Sequence, residues 1–209
     1  MNHYDHIAWI YDSLAKWVFR GNVLKSQCHF LSHLNANERI IIIGGGSGEI
    51  LKSIDQLNIP LTVDFIEPSM QMIEKARKWT PESSNLSVNF HQRKFESFKS
   101  LKEYDWICCF FFLDLFEKKS LQIHIDRIKK LMNVQSKLLV SDFEIGKDSG
   151  WKRVLSLIMH KFFKVTTRLE SNGLKDINGA VINSGFHKTE EAHFFSRFIF
   201  SAIYQKEVL

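Results

Sequence analysis

The sequence predicts an α/β protein of the Rossmann-like, doubly wound class, with a mostly parallel seven-stranded sheet. Apolar segments of strand length alternate with segments of helical periodicity, and a glycine-rich turn follows the first strand. The central strands are apolar throughout, which is typical of strands that are covered by helices on both faces. The last strand alternates apolar and more polar residues, so we expect an antiparallel hairpin at the C-terminal end.

The elements are expected in the following order. Two N-terminal helices form a cap. One face of the first helix carries Ile7, Ile10, Tyr11, Leu14 and Val18, and Gly21 interrupts this pattern. The second helix is marked by Leu24, Cys28 and Leu31. The predicted strands cover residues 40–43, 61–66, 86–90, 106–111, 137–143, 186–194 and 198–204. The predicted helices cover residues 48–57, a segment capped by Ser69 that ends before Pro81, and residues 121–132, 151–163 and 174–183.

A chain of 209 residues fits one domain, and no linker interrupts it. We expect residues 1–38 to form the cap, residues 39–145 the ligand-binding core, and residues 146–209 the C-terminal helices and antiparallel strands.

Composition limits the partners and the compartment. The net charge is +5 and the isoelectric point about 9.1, but Lys and Arg are spread along the chain, which disfavours nucleic acid as a partner. Cys28, Cys108 and Cys109 form no metal-ligand pattern, so buried free thiols are expected. The first residues resemble no signal peptide and no segment is long enough to span a membrane. These observations predict a cytoplasmic protein.

The turn after the first strand has a distinctive spacing. Gly44, Gly46 and Gly48 follow the strand directly and open a helix, as expected where a backbone approaches a ligand. A dinucleotide-binding turn would have its third glycine at position 49, where Glu49 stands, and a phosphate-binding loop would contain Gly-Lys-Ser or Gly-Lys-Thr. The spacing is G-x-G-x-G instead.

An acid at the end of the second predicted strand completes the pattern. Glu67 lies 19 residues after Gly48, where a carboxylate can accept hydrogen bonds from both hydroxyls of a ribose. The alternative interpretation is a tight strand-to-helix turn and a solvated strand end, although the order of strand, glycines, helix, strand and acid favours a nucleotide site.

With these motifs in place, the chain resembles the class I S-adenosylmethionine-dependent methyltransferases. The similarity is to the group that includes the ubiquinone and menaquinone biosynthesis methyltransferases. The segments that carry it are YDHIAWIYD at the N-terminal end, the glycine turn, FIEPSMQMIEKA, EYDWICCFFFLDLF, KLLVSDFEIG and the terminal strands around SGF and RFIFSAIYQK.

The resemblance implies S-adenosylmethionine as cofactor and a set of cofactor-binding residues. These are Gly44, Gly45, Gly46, Gly48, Glu67, Pro68, Met72, Phe95 and Tyr11. Met72 and Tyr11 also fit the apolar faces of their helices, so packing is an equally good interpretation for them. Ile42 stands where the family usually has an acid before the glycines, and Lys94 where it usually has an aspartate that binds adenine. Both differences leave open a non-catalytic binding or scaffold protein.

Methyl transfer requires no nucleophilic side chain, and a base only if the acceptor must lose a proton. The edge where such sheets bind ligands holds Phe112 and Asp114 after the fourth predicted strand and Asp142 and Glu144 at the end of the fifth. Asp142 is the candidate for a polar role in the pocket, with helix capping or a surface turn as the alternative. No metal site is expected, since the histidines lack ligand spacing. The aromatic segment CCFFFLDLF favours a small, partly apolar acceptor, and an RNA methyltransferase is the remaining alternative because the chain is basic.

Overall fold

The computed structural model describes residues 21–80, 85–144 and 176–207, which form a seven-stranded sheet with helices on both faces. The strands are β1 (Arg39–Ile43), β2 (Leu61–Ile66), β3 (Leu86–His91), β4 (Tyr104–Phe110), β5 (Met132–Phe143), β6 (Phe186–Phe194) and β7 (Ile199–Lys206). The helices are α1 (which includes residues 21–28), α2 (Glu49–Asp55), α3 (Met70–Arg77), α4 (Lys118–Lys129) and α5 (Ile177–Asn183). Short 3-10 turns lie at Leu31–His33, Phe95–Ser97 and Leu113–Leu115.

The strand order is β3-β2-β1-β4-β5-β7-β6. β1 to β5 pair in parallel, whereas β7 is antiparallel to β5 on one side and to β6 on the other. The prediction of a doubly wound, mostly parallel sheet with an antiparallel C-terminal hairpin is therefore confirmed.

The uninterrupted run of isoleucines in β1 is explained by two cores, one on each face of the sheet. Ile41 and Ile43 pack into the core beneath α4 and α5, and Ile40 and Ile42 pack into the core on the other face. All four side chains have no exposed surface. A strand buried on both faces needs no alternation of polar residues, as the sequence pattern indicated.

Most element positions agree with the predictions, and three differ. Gly21, the first residue that the structure describes, is helical, whereas we predicted a break there, and Leu31 lies in a 3-10 turn. Met132 begins β5 and pairs with Tyr104, whereas we predicted it as the last apolar residue of the preceding helix. Its spacing fits a helical face by coincidence, because α4 ends at Lys129 and only a short connection precedes the strand.

Ser69 caps α3 as predicted, since its hydroxyl accepts a hydrogen bond from the amide of Met72 at 3.4 Å. The first predicted helix around Ile7–Val18, Pro81 and the helix predicted for residues 151–163 lie outside the described residues.

The three cysteines are unpaired, and Cys108 and Cys109 are buried, as expected. Burial raises the pKa of the Cys108 thiol to about 12 and that of Cys109 well above its usual value, so both stay protonated. Within the described ranges, no helix has the length and apolar character needed to cross a membrane.

A polar network joins four strands at the face beneath α4. The carboxylate of Asp64 on β2 accepts hydrogen bonds from Tyr104 at 2.9 Å and from Arg39 at 3.4 Å, and it lies 2.8 Å from Nε2 of His91. Burial alone would raise the pKa of Asp64, but the hydrogen bonds from His91 and Tyr104, with the charge of His91, lower it. The ionised carboxylate therefore stabilises the native fold.

The Asp64→Asn variant is expected to lose about 2 kcal/mol of unfolding free energy at pH 7, because the charged acceptor shared by three donors is removed. A group whose pKa is lowered by folding stabilises the protein above its unfolded value, about 3.9, and loses this effect as the pH falls through the folded value. The difference in unfolding free energy between the variant and wild type should thus stay constant down to about pH 4 and become smaller below that pH. Urea unfolding at several pH values measures this, with the exposed Asp126→Asn on α4 as control. A difference independent of pH down to complete acid unfolding would contradict the role of the charge.

Candidate functional site

The glycine turn joins the carboxyl ends of β1 and β2. The amides of Gly44 and Gly45 donate to the carbonyl oxygen of Ile66 at 2.9 and 3.1 Å, which holds the turn against the neighbouring strand. Gly46 adopts φ of 57°, and no atom lies within 4 Å of the position that a Cβ would take there. This side of the turn is therefore open to a ligand.

Gly48 is required for packing. It has φ of 69° at the start of α2, and a Cβ there would lie 2.4 Å from the Cβ of Ala76 on α3. A side chain is excluded by both the left-handed backbone and the close approach of the two helices.

Glu67, the residue after β2, holds the glycine turn in place through hydrogen bonds. Its Oε2 accepts a hydrogen bond from the amide of Gly46 at 2.9 Å, and its Oε1 accepts one from the amide of Ser69 at 2.9 Å. The residue is 8% exposed. A carboxylate offers about four lone-pair positions, so each oxygen keeps one for a further donor, such as the hydroxyls of a ribose.

Aromatic rings form a wall beside the glycines. The ring of Phe112, which follows β4, approaches the place of a Cβ on Gly44 to 2.6 Å, and Phe95 lies edge-to-face with Phe112 at 6.2 Å between ring centres. Both rings are almost fully buried. On the α3 side, Pro68 is exposed and Met72 is half-buried.

The structure thus connects the glycine turn, Glu67, Phe112 and Phe95 by direct contacts at one edge of the sheet. Pro68 and Met72 adjoin this group through the cap of α3, and Tyr11 lies outside the described residues. The binding roles of all these residues stay predictions.

The two residues that differ from the family pattern occupy very different places. Ile42 is fully buried in the core and pairs with Phe65 and Cys108, so its side chain is not available to a ligand. Lys94 is exposed at the start of the 3-10 turn Phe95–Ser97, where its carbonyl accepts from the amide and hydroxyl of Ser97. The amide of Phe95 and the carboxylate of Glu96 remain at this turn as polar groups.

Asp142 has the contacts of a capping group. It is fully buried at the end of β5, its Oδ1 accepts from its neighbour Phe143 at 2.8 Å, and its Oδ2 accepts from the amide of Asp114 at 3.3 Å. Burial, with the charge of Asp114, raises the pKa of Asp142 well above its ordinary value. The catalytic role stays a prediction, and the observed contacts stabilise the turn after β4.

Three aromatic residues surround the end of β5 on the opposite face from the Phe95–Phe112 pair. The ring of Phe143 lies 4.7 Å from that of Phe111 and 5.4 Å from that of Phe198. Phe111 has φ of 51°, a conformation that non-glycine residues seldom adopt and that often marks functional sites. No sequence motif signals this strained backbone, since it depends on the tertiary surroundings of the strand.

A second polar group brings Glu144, which follows β5, close to two residues of β6. Glu144, Glu191 and His193 place one ligand atom each within 4.8 Å of one another, a spacing that a metal ion could use. Nε2 of His193 is 3.0 Å from Oε2 of Glu144 and 3.1 Å from the guanidinium of Arg197, and Lys188 pairs with Glu191. The expectation of no metal stays a prediction.

The comparisons agree with this geometry. Residues 41–138, a little under half of the chain, match the family model described as "Methyltransferase domain". This segment spans the glycine turn, Glu67, the aromatic wall and most of β5. No curated protein matches the chain.

Solved structures share the fold at low identity. The mitomycin 7-O-methyltransferase MmcR is 15% identical with a TM-score of 0.66; 88% of this chain aligns with 54% of that one, so the protein spans about half its length. A S-adenosylmethionine-dependent methyltransferase from Clostridium acetobutylicum is 9% identical with a TM-score of 0.63, over 98% and 99% of the two chains. The putative methyltransferase in complex with the Trm112 activator from Haloferax volcanii is 11% identical with a TM-score of 0.66, over 95% and 96%.

Residues 41–138 are therefore similar to a methyltransferase domain, and the fold is shared with a solved methyltransferase that depends on S-adenosylmethionine as cofactor. The residues present fit that cofactor, because the turn is open at Gly46 and Glu67 keeps acceptor positions for hydroxyl donors.

Proposed function

We propose that the protein is a S-adenosylmethionine-dependent methyltransferase of the group that includes the ubiquinone and menaquinone enzymes, with a small, partly apolar acceptor. The single observation that carries the proposal is the pairing of Glu67 with the open glycine turn. Oε2 of Glu67 fixes the amide of Gly46, and this arrangement presents free acceptor positions beside backbone that no side chain covers.

When bound, the cofactor supplies a methyl group on a sulfonium, which leaves as a neutral thioether. Glu67 would hold the ribose. The ribose and methionine portions would lie against the glycine turn, at Gly44, Gly45, Gly46 and Gly48. The adenine would contact Phe95, Pro68 and Met72. The protein's contribution is to orient the acceptor and to exclude water.

The aromatic residues around the end of β5 support an apolar acceptor. Phe111, Phe143 and Phe198 pack together at the sheet edge where ligands bind in open α/β folds. The strained backbone of Phe111 fits a residue held in place for contact with a ligand. A proton on the acceptor could pass to Asp142 only after movement, because its carboxyl group is fully buried.

We also propose that the protein is a single domain and lies in the cytoplasm. A single domain would place the cap of residues 1–38 and the segment 146–209 around the cofactor-binding core. The free cysteines fit a reducing compartment such as the cytoplasm.

Calorimetry with S-adenosylmethionine and S-adenosylhomocysteine tests cofactor binding. We expect saturable binding of both, and no binding up to millimolar concentrations would favour the non-catalytic scaffold. Incubation with methyl-labelled cofactor and panels of quinol-like and phenolic metabolites, RNA and protein then tests the acceptor. Label appearing only in RNA or protein would contradict a small-molecule acceptor.

A further inference from the structure

A buried histidine lies behind the aromatic wall of the candidate site. His124 projects from α4, and its side chain is 2% exposed. Its ring stacks on Phe116 at 3.7 Å between centres, and the rings of Phe95 and Phe112 lie 6.0 and 5.8 Å away. A polar ring buried this deeply must have its hydrogen-bonding groups satisfied.

Both ring nitrogens of His124 face acceptors. Nδ1 lies 2.7 Å from the carbonyl oxygen of Ser120, and Nε2 lies 3.0 Å from Oε1 of Glu96. Partial burial alone would raise the pKa of Glu96, but hydrogen bonds from its own backbone and from His124, with the charges of His124 and Lys94, lower it. Both ring nitrogens are therefore used in hydrogen bonds, one to the main chain of α4 and the other to the carboxylate of Glu96.

The hydrogen bond between His124 and Glu96 fixes the turn that follows β3. Glu96 lies within the 3-10 turn Phe95–Ser97. One helical turn beyond His124, Arg127 donates to the carbonyl oxygens of Phe95 at 3.2 Å and Phe98 at 3.1 Å. His124 and Arg127 of α4 therefore hold the same turn, His124 through the side chain of Glu96 and Arg127 through backbone carbonyl oxygens.

The same histidine also contacts the ring that lies on the glycine turn. The ring of Phe112 meets that of His124 edge-on, and its other side approaches Gly44. Loss of the imidazole would remove a packing surface from Phe112 and a partner from Glu96 at once. The turn after β3 and the segment after β4 would then no longer be fixed to each other.

We propose that His124 is a positioning residue for the cofactor, which fixes the turn after β3, where Phe95 would contact adenine, to the segment after β4 that lies on the glycine turn. The inference rests on the proposed function, since it assumes that S-adenosylmethionine binds in this cleft. His124 is too deeply buried to touch the ligand, so it acts through Glu96, Phe95 and Phe112.

The test is a double-mutant cycle on the full chain, with Kd for S-adenosylhomocysteine measured by calorimetry and folding checked by thermal unfolding. His124→Phe keeps a stacking ring but removes both ring nitrogens, and Glu96→Ala removes the acceptor at a site that is half exposed and so retains the fold. Each is expected to raise Kd about tenfold, and the double variant to raise it no further, because both remove one interaction. His124→Gln, whose amide can donate to Glu96, should restore Kd to within about threefold of wild type.

Two controls match these changes. His187→Phe on β6 and Glu103→Ala before β4 alter exposed residues of the same types and should leave Kd unchanged. The inference is overturned if wild type binds S-adenosylhomocysteine and either single variant binds it equally well. It is also overturned if the increase in Kd of the double variant equals the product of the increases in the two single variants. If wild type does not bind at all, the proposed function itself fails. Should His124→Phe not fold, Glu96→Ala and His124→Gln decide the outcome.

Discussion

Glu67→Ala is expected to weaken binding of S-adenosylhomocysteine about 100-fold. The variant loses a charged acceptor for two hydroxyl donors, and hydrogen bonds to charged groups each contribute about 1.5–3 kcal/mol. It also releases the amides of Gly46 and Ser69, which the carboxylate holds at 2.9 Å. Calorimetry on the purified variant measures the change in Kd.

Glu74→Ala on the exposed face of α3 is the matched control and should bind as wild type does. Glu67→Gln keeps one carbonyl acceptor, so its Kd for S-adenosylhomocysteine should lie between those of Glu67→Ala and Glu74→Ala. Unchanged affinity in Glu67→Ala would show that this carboxylate braces the turn without contacting the cofactor.

Gly48→Ala is expected to lose about 3 kcal/mol of unfolding free energy, because left-handed backbone costs a non-glycine residue about 1–2 kcal/mol and overpacking adds about 1–3 kcal/mol. The added methyl group would lie 2.4 Å from the Cβ of Ala76 and 2.8 Å from its Cα, so α2 and α3 would have to separate. Urea unfolding of the variant and wild type measures the loss.

Gly46→Ala separates packing from ligand binding. Its φ of 57° gives similar backbone strain, but no atom lies within 4 Å of the new methyl group. We expect a loss of only about 1 kcal/mol in stability, together with weaker cofactor binding because the methyl group enters the open side of the turn. Equal destabilisation by the two substitutions would contradict the assignment of Gly48 to helix packing.

The fold was predictable because its information is local. The isoleucine run of β1, the antiparallel hairpin of β6 and β7 and the cap at Ser69 each depend on a few neighbouring residues, and the structure agrees with them. The alternation that suggested the hairpin is not seen in the burial of β7, because the strand lies between β5 and β6 and its first six residues are all buried. The end of α4 was not predictable, since Met132 fits the helical spacing and only its pairing with Tyr104 shows that it belongs to a strand.

The candidate site was predictable in part for the same reason. The glycines and Glu67 stand at the ends of adjacent strands, so their proximity follows from the parallel topology. The His124–Glu96 pair joins residues 28 positions apart on different elements, and neither residue type signals such a contact. The left-handed backbone of Phe111 likewise arises from tertiary packing and leaves no trace in the sequence.

The position of β7 has a consequence for synthesis on the ribosome. β7 follows β6 along the chain but lies between β5 and β6 in the sheet. Until residues 199–206 leave the exit tunnel, the edge of β5 stays unpaired and β6 has no strand on which to dock. An open, apolar strand edge invites association with other chains. The nascent protein is therefore most vulnerable to aggregation just before its last strand emerges, and chaperone protection matters most at that moment.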